Sequence, residues 1–409
     1  MKFQEFSAYS CFMMVSMTSF LPWNLFMNAH EYFNHKLRNT TADTYNGSIL
    51  PFEDETALQR SYEGWVTFIS GISCLIGSGF NSLTTSRLSN SFRVCLGHLT
   101  TVCALLPTFI LTFIDSDESQ FVFFCITMFL AALASFGSMG LIASGILGLA
   151  ARFPANCVQA VMLGQAVAGL LCSLLSIFCQ ALTTNAVLNG RFFFGIAFTW
   201  TTISVFVYIV LVRSSSITAL MSDDRESYVD QFQQRLLTDQ DYWEEEEQYE
   251  EGSPDDSLSL RPFEEESFIK DARTIITQAK MELLTGFIVI FITLSAFPAL
   301  ASLVRSTSSN KIWKSYFTSV ACFLLFNCGD VFGRVLSAVI GLRRNKLFVF
   351  AILRALFVPL LFFSNIRPRH HSRTFIDDDL LFILFMSLFS TTNGFIFSAA
   401  GISATRFAF

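Results

Sequence analysis

Residues 121–149 read FVFFCITMFLAALASFGSMGLIASGILGL, 29 residues without one charged side chain. As a helix this run would be about 43 Å long at ~1.5 Å per residue, more than the ~30 Å of a bilayer's hydrocarbon layer. It is far too long for a buried strand, so length decides for helix. Nine further stretches have the same character: 9–29, 64–85, 93–113, 158–182, 192–212, 281–303, 316–340, 347–363 and 380–400. The alternation of a transmembrane β-barrel is absent. The sequence therefore predicts an all-α polytopic membrane protein with ten spans. The first run follows a single basic residue, is too long for the apolar part of a leader, and holds Pro22, Trp23 and Asn24 in its second half. It reads as a true span.

The composition agrees. Of 409 residues only 15% are charged, against 52% hydrophobic, and 47 are Phe. A soluble domain is about 25% charged. Of the 33 acids, 18 lie between Asp223 and Asp271. Residues 214–279 thus form an acidic, Ser- and Gln-rich segment that cannot bury enough apolar surface to fold, and is expected to be disordered. It separates six spans (residues 1–213) from four (280–409), the layout of a two-halved transporter. A net charge of −6 argues against a nucleic-acid partner. The ten Cys and five His show no metal-ligand spacing, and no phosphate loop or catalytic carboxylate pair occurs. No enzyme, metal or cofactor is expected.

Lys and Arg divide about evenly over the short loops, so charge does not fix orientation. Two glycosylation sequons, at Asn39 and Asn46, place the 30–63 loop outside. The N-terminus and the acidic segment are then cytosolic.

Polar groups within spans are costly and mark function. In the eighth span Phe323, Asn327, Asp330 and Arg334 stand at offsets that place them on one helix face. Asp330 and Arg334 are an i, i+4 pair, and Asp330 is the one acid deep in any span. The same four residues suit either a structural ion pair or a polar pathway. In the first span Pro22 breaks the backbone ladder, while Trp23 and Met27 share a face and suit either an interfacial anchor or an aromatic wall. Gly140, Ser144 and Gly148, and then Gly164 and Ala168, repeat every four residues, as close-packed helices do. Gln165, Gly169, Phe297 and Arg354 are further polar or bent points.

Several stretches resemble the equilibrative nucleoside transporter family (solute carrier family 29). They are Leu21-Pro-Trp-Asn-Leu-Phe-Met with Tyr32-Phe33; Gly148-Leu-Ala with Phe153-Pro154; Gly164-Gln-Ala-Val-Ala-Gly169; Phe326-Asn-Cys-Gly-Asp330-Val-Phe-Gly-Arg334; Arg354, Phe357, Pro359 and Asn365; and Thr392-Asn-Gly394. The resemblance implies a major-facilitator-like two-half bundle around a central cavity. It also implies facilitative passage of nucleosides, or nucleobases, through the lipid bilayer without ATP. The family's pocket positions fall on Trp23, Met27, Asn327, Asp330 and Arg334, with Phe297 and Phe323 beside them. Trp23 and Met27 would face the base, Asp330 and Arg334 the ribose. Pro22, Asn24, Gly164, Gln165, Gly169 and Arg354 would serve gating or packing. The plasma membrane is the expected residence, an endomembrane or lysosome the alternative.

Two departures stand out. The family commonly has Gln where this chain has Ala143. It also has eleven spans, so the four-helix second half is expected to be truncated. Competing readings are a proton-coupled or organic-cation carrier, and a non-transporting regulator of a full-length form. A cation carrier needs a free counter-charge, and the one deep acid is already paired.

Overall fold

In the computed structural model, the described residues are 3–40, 56–85, 87–151, 153, 155–183, 185–213, 276–367 and 374–405. The acidic run through residue 275, Asn46 and His370-His371 lie outside them. The described chain is helical: α1 Phe3–Asn28, α2 His30–Lys36, α3 Ala57–Leu83, α4 Asn90–Leu111, α5 Gln120–Ala150, α6 Ala155–Leu182, α7 Ala186–Arg213, α8 Lys280–Ala296, α9 Lys311–Val339, α10 Arg344–Phe362 and α11 Asp379–Thr405. Among the described residues only two isolated β-bridges occur, Val304–Ile366 and Ser364–Ile376.

Each of the ten expected spans appears as a helix. Nine, α3 to α11, are long and apolar enough to cross a membrane by length and composition. The chain is an integral, multi-pass membrane protein. α1 has the length, at 26 residues, but not the apolarity. Its Ser16, Thr18, Ser19, Asn24 and Asn28 are all buried. A helix enclosed by other helices need not present hydrocarbon to lipid, and α1 packs chiefly on α6. It also runs on through Pro22, which deprives the helix of one N–H without ending it.

The outer faces of the other helices carry the apolar load. Phe68, Leu75, Phe129, Phe206, Phe287 and Phe332 are exposed on the bundle's surface. In water such a surface would aggregate; against acyl chains it is the expected one.

Helix approach depends on small residues. A Cβ on Gly164 would lie 2.5 Å from the Met13 carbonyl oxygen of α1, and one on Gly140 would lie 2.6 Å from the Cα of Gly77 on α3. Gly148, the third small residue of the α5 stripe, has nothing within 4 Å. α9 and α11 pack along much of their length. There Cβ atoms on Gly333 and Gly394 would overlap the backbones of Thr391 and Asp330. Two helices each carry a wide π-turn, Phe136–Ile142 in α5 and Thr318–Leu324 in α9. In α9 the π-turn holds Phe323 and ends three residues before Asn327. It re-aims the side chains that follow.

Gly394→Val tests the α9–α11 contact. The overlap is with backbone, which cannot rotate away, so the substitution should lower unfolding free energy by about 2 kcal/mol or more. Thermal unfolding in detergent should show this, with loss of the monodisperse peak on size exclusion. A parent-like melting curve would mean that the two helices do not meet there.

Candidate functional site

α9 is amphipathic around its own axis. Phe323, Asn327, Asp330 and Arg334 are each at most 7% exposed, whereas Phe332 on the opposite face is 59% exposed. The predicted one-sided face is therefore real and turned inward.

Arg334 Nε donates to Asp330 Oδ2 at 2.9 Å. Arg334 Nη1 crosses to the Met162 carbonyl of α6 at 2.7 Å. The other carboxylate oxygen, Oδ1, accepts from Asn393 Nδ2 of α11 at 2.6 Å. The amide's orientation follows from its far side. Asn393 Oδ1 lies 3.3 Å from Arg354 Nη2, which can only donate, so the NH2 must face Asp330. Thr293 Oγ1 of α8 sits 2.6 Å from the same amide oxygen. Arg354 itself is 1% exposed and lies in a 3-10 turn within α10. It also donates to the Val289 and Phe389 carbonyls, at 3.1 and 3.2 Å. Its bonds thus tie α8, α10 and α11 together. One charged spine runs from α10 through α11 and α9 to α6.

One turn away lies a neutral counterpart. Asn327 Nδ2 donates to Ser173 Oγ of α6 at 2.8 Å, and Ser173 Oγ donates to Asn28 Oδ1 of α1 at 3.0 Å. Asn28 Nδ2 reaches the Asn24 carbonyl at 2.8 Å. Gly169 sits in the middle: a Cβ there would overlap Asn327 Oδ1 and lie 3.1 Å from Asn24 Oδ1. Asn24, Gly169 and Asn327 are therefore brought together from three helices. Gln165, one turn before Gly169, is buried.

The aromatic residues gather nearer the end that carries α2. Phe297 stacks on Phe326 with centroids 3.8 Å apart and meets Phe323 edge-on at 5.7 Å. The His30 ring stacks on the other side of Phe323 at 5.8 Å. Burial, aided by the charge of Arg305, pushes the His30 imidazole down to about 4, so a neutral ring lies there. At the same end Gln180 Nε2 donates to Ser319 Oγ at 2.9 Å, and Ser302 donates to the Glu63 carboxylate. These contacts join α2, α3 and α6 to the segments after α8. Met27 is buried and turns toward α3, its Sδ 4.0 Å from Thr67 Oγ1. Trp23 is half-buried against the main apolar core. Asn39, the described sequon, is exposed.

Sequence reasoning missed Asn393, Thr293 and Ser173 as members of these networks. Asn393 carried a signal, a lone amide inside a span, but no partner could be named for it. Among the described residues no cluster of His, Cys, Asp or Glu could hold a metal ion.

A buried ion pair linking helices, with an amide network beside it, suits a carrier. Residues 127–405 match the sequence profile of the nucleoside transporters. This chain belongs to that family. It is similar to equilibrative nucleoside transporter 1 of Homo sapiens, 26% identical over 95% of this chain and 87% of that protein. The mouse form of transporter 1 is 28% identical over the same shares. Human equilibrative nucleoside transporter 2 is 27% identical over 97% of this chain and 88% of its own length. The family is one of transporters, not enzymes.

Gly169→Val would drive a methyl into the Asn327 amide and displace it from the network. Transport should fall about tenfold or more at equal surface expression, whereas Ser173→Ala removes two neutral hydrogen bonds, to Asn327 and Asn28, creates no overlap and leaves Asn327 Nδ2 on the Phe323 carbonyl, and should cost less. Tracer flux into vesicles checks the order. Equal losses would mean that Gly169 is not pressed against the network.

Proposed function

We propose that this protein carries nucleosides down their concentration gradient across a membrane, by alternating access and without ATP. The observation that carries the reading is the buried face of α9. In a chain of the nucleoside transporter family, it sets a charged pair and an amide between helices that precede and follow the acidic segment. A nucleoside has a flat base and a hydroxyl-rich sugar. Aromatic and thioether surfaces with a few hydrogen-bonding groups suffice to hold it.

In this reading Trp23, Met27, Phe297 and Phe323 serve the base, and Asn327, Asp330 and Arg334 serve the ribose. In the arrangement described, both Asp330 oxygens are already engaged, by Arg334 and by Asn393. A ribose hydroxyl would bind by taking over one of these bonds or by using a remaining lone pair. Such an exchange costs little, because each bond lost is replaced. The Arg334–Met162 and Asn327–Ser173 bonds join the two helix groups at mid-depth. The Gln180–Ser319, Glu63–Ser302 and His30–Phe323 contacts hold them together at the α2 end. Opening that end requires these contacts to break.

The proposed topology has residues 1–213 as one half and 280–409 as the other, with the N-terminus and the acidic segment in the cytosol. Asn39 and Asn46 are then glycosylated on the far side, and the plasma membrane is the proposed residence. The absence of a second, free buried acid at mid-depth among the described residues favours facilitation over ion coupling.

Adenosine and uridine uptake in cells stripped of their own nucleoside carriers tests this directly. Expression should raise uptake several-fold, independent of external pH and of ATP. Asp330→Ala should lower it at least tenfold, since it leaves Arg334 buried without its partner, and Trp23→Ala should raise KM more than it lowers the maximal rate. No uptake by the parent chain would sink the proposal.

A further inference from the structure

The buried charges of the second helix group do not balance. Among the described residues of that group, the Asp, Glu, Lys and Arg side chains at most 7% exposed and away from helix ends are Asp330, Arg334 and Arg354. Asp330 neutralises Arg334, to which it is bonded. Arg354 meets no carboxylate. Its donors end on the Val289 and Phe389 carbonyls, the Thr293 and Thr392 hydroxyls and the Asn393 amide oxygen. Its ring neighbour is Phe389, with the guanidinium 4.7 Å from the centroid. All are neutral. The other buried acid of this group, Glu282, stands in the first turn of α8 and is bonded to Arg344 at 2.7 Å. Arg stays protonated in proteins, so one unit of positive charge is left over.

That charge is two hydrogen bonds from the Asp330 carboxylate, through Asn393. It is shielded by helices rather than by water. At ~10 Å and an effective dielectric of ~20, unit charges repel strongly enough to change an affinity roughly tenfold.

We infer that Arg354 is a specificity-determining residue: its uncompensated charge sets a positive potential at the site and turns away cationic solutes while leaving neutral ones unaffected. The inference rests on the transport reading above and narrows it to uncharged nucleosides. Arg354 does not touch the solute in this account. It acts through space and through the orientation of Asn393.

The test compares adenosine with 1-methyladenosine, whose base is cationic at neutral pH. Affinities are read on purified protein as ligand-induced rises in unfolding temperature, so turnover is not needed. Two variants remove the surplus by opposite routes. Arg354→Gln deletes the cation. Thr392→Asp keeps it and adds a carboxylate beside Nε. Either should shift the affinity ratio toward the cation by about tenfold relative to the parent. Arg354→Lys retains charge while losing the planar fork, and its ratio should stay like that of the parent. A purely structural Arg354 would make Lys resemble Gln instead, and that result overturns the inference. So does an unmoved ratio in both Arg354→Gln and Thr392→Asp. If one of those two does not fold, the other decides. A parent protein that neither binds nor carries adenosine fails the transport reading itself, which the ratio experiment keeps separate.

Discussion

Putting an ion pair into the interior of a membrane protein is the constraint from which the rest follows. Each ion, unpaired, would cost several kcal/mol even after relaxation. Asp330 and Arg334 avoid that by holding each other and by bonding to fixed partners, Asn393 and the Met162 carbonyl. Those partners must come close, and the glycines of α9 and α11 exist for that approach. Without Gly333 and Gly394 the backbones could not close, and Asn393 could not reach the carboxylate. The same requirement explains the burial of Arg354, which pins the amide in the one orientation that offers its NH2 to Asp330.

Between the two groups of helices the bonds are of another kind. Asn327 to Ser173 and Gln180 to Ser319 are neutral, and Arg334 meets α6 only through a backbone carbonyl. A typical hydrogen bond is worth about 1 kcal/mol net when water or another partner can replace it. A rigid charged cluster inside one group, with exchangeable contacts between groups, is what a carrier needs in order to rearrange. In the proposed mechanism the α6–α9 boundary is the one that rearranges and the α9–α11 boundary is kept.

Much of this was legible in the sequence. Long, predominantly apolar runs gave all ten helices, because hydrocarbon tolerates little else. The spacing of Phe323, Asn327, Asp330 and Arg334 gave the buried face, because 3.6 residues per turn leaves one choice. The i, i+4 pairing of Asp330 with Arg334 needed no tertiary knowledge. What could not be read was partnership across helices. Nothing local links Asn393 to Asp330 or Thr293 to Arg354, since each pair is joined by packing alone. The π-turn that carries Phe323 is equally invisible, as its extra residue has no compositional mark. Met27 shows the limit from the other direction. Its shared face with Trp23 was correct, yet the contact it makes, with Thr67 of α3, depends on a helix that the spacing could not place.

The central claim is that the polar face of α9 borders an aqueous path between helices rather than a dry seam or lipid. Single cysteines at 327 and 332, in a background cleared of native cysteines, measure this with a water-soluble, membrane-impermeant thiosulfonate. The account predicts labelling at 327, slowed by saturating nucleoside, and none at 332, which faces acyl chains. Labelling at 332 with position 327 inert, or reactivity at 327 indifferent to nucleoside, would contradict it.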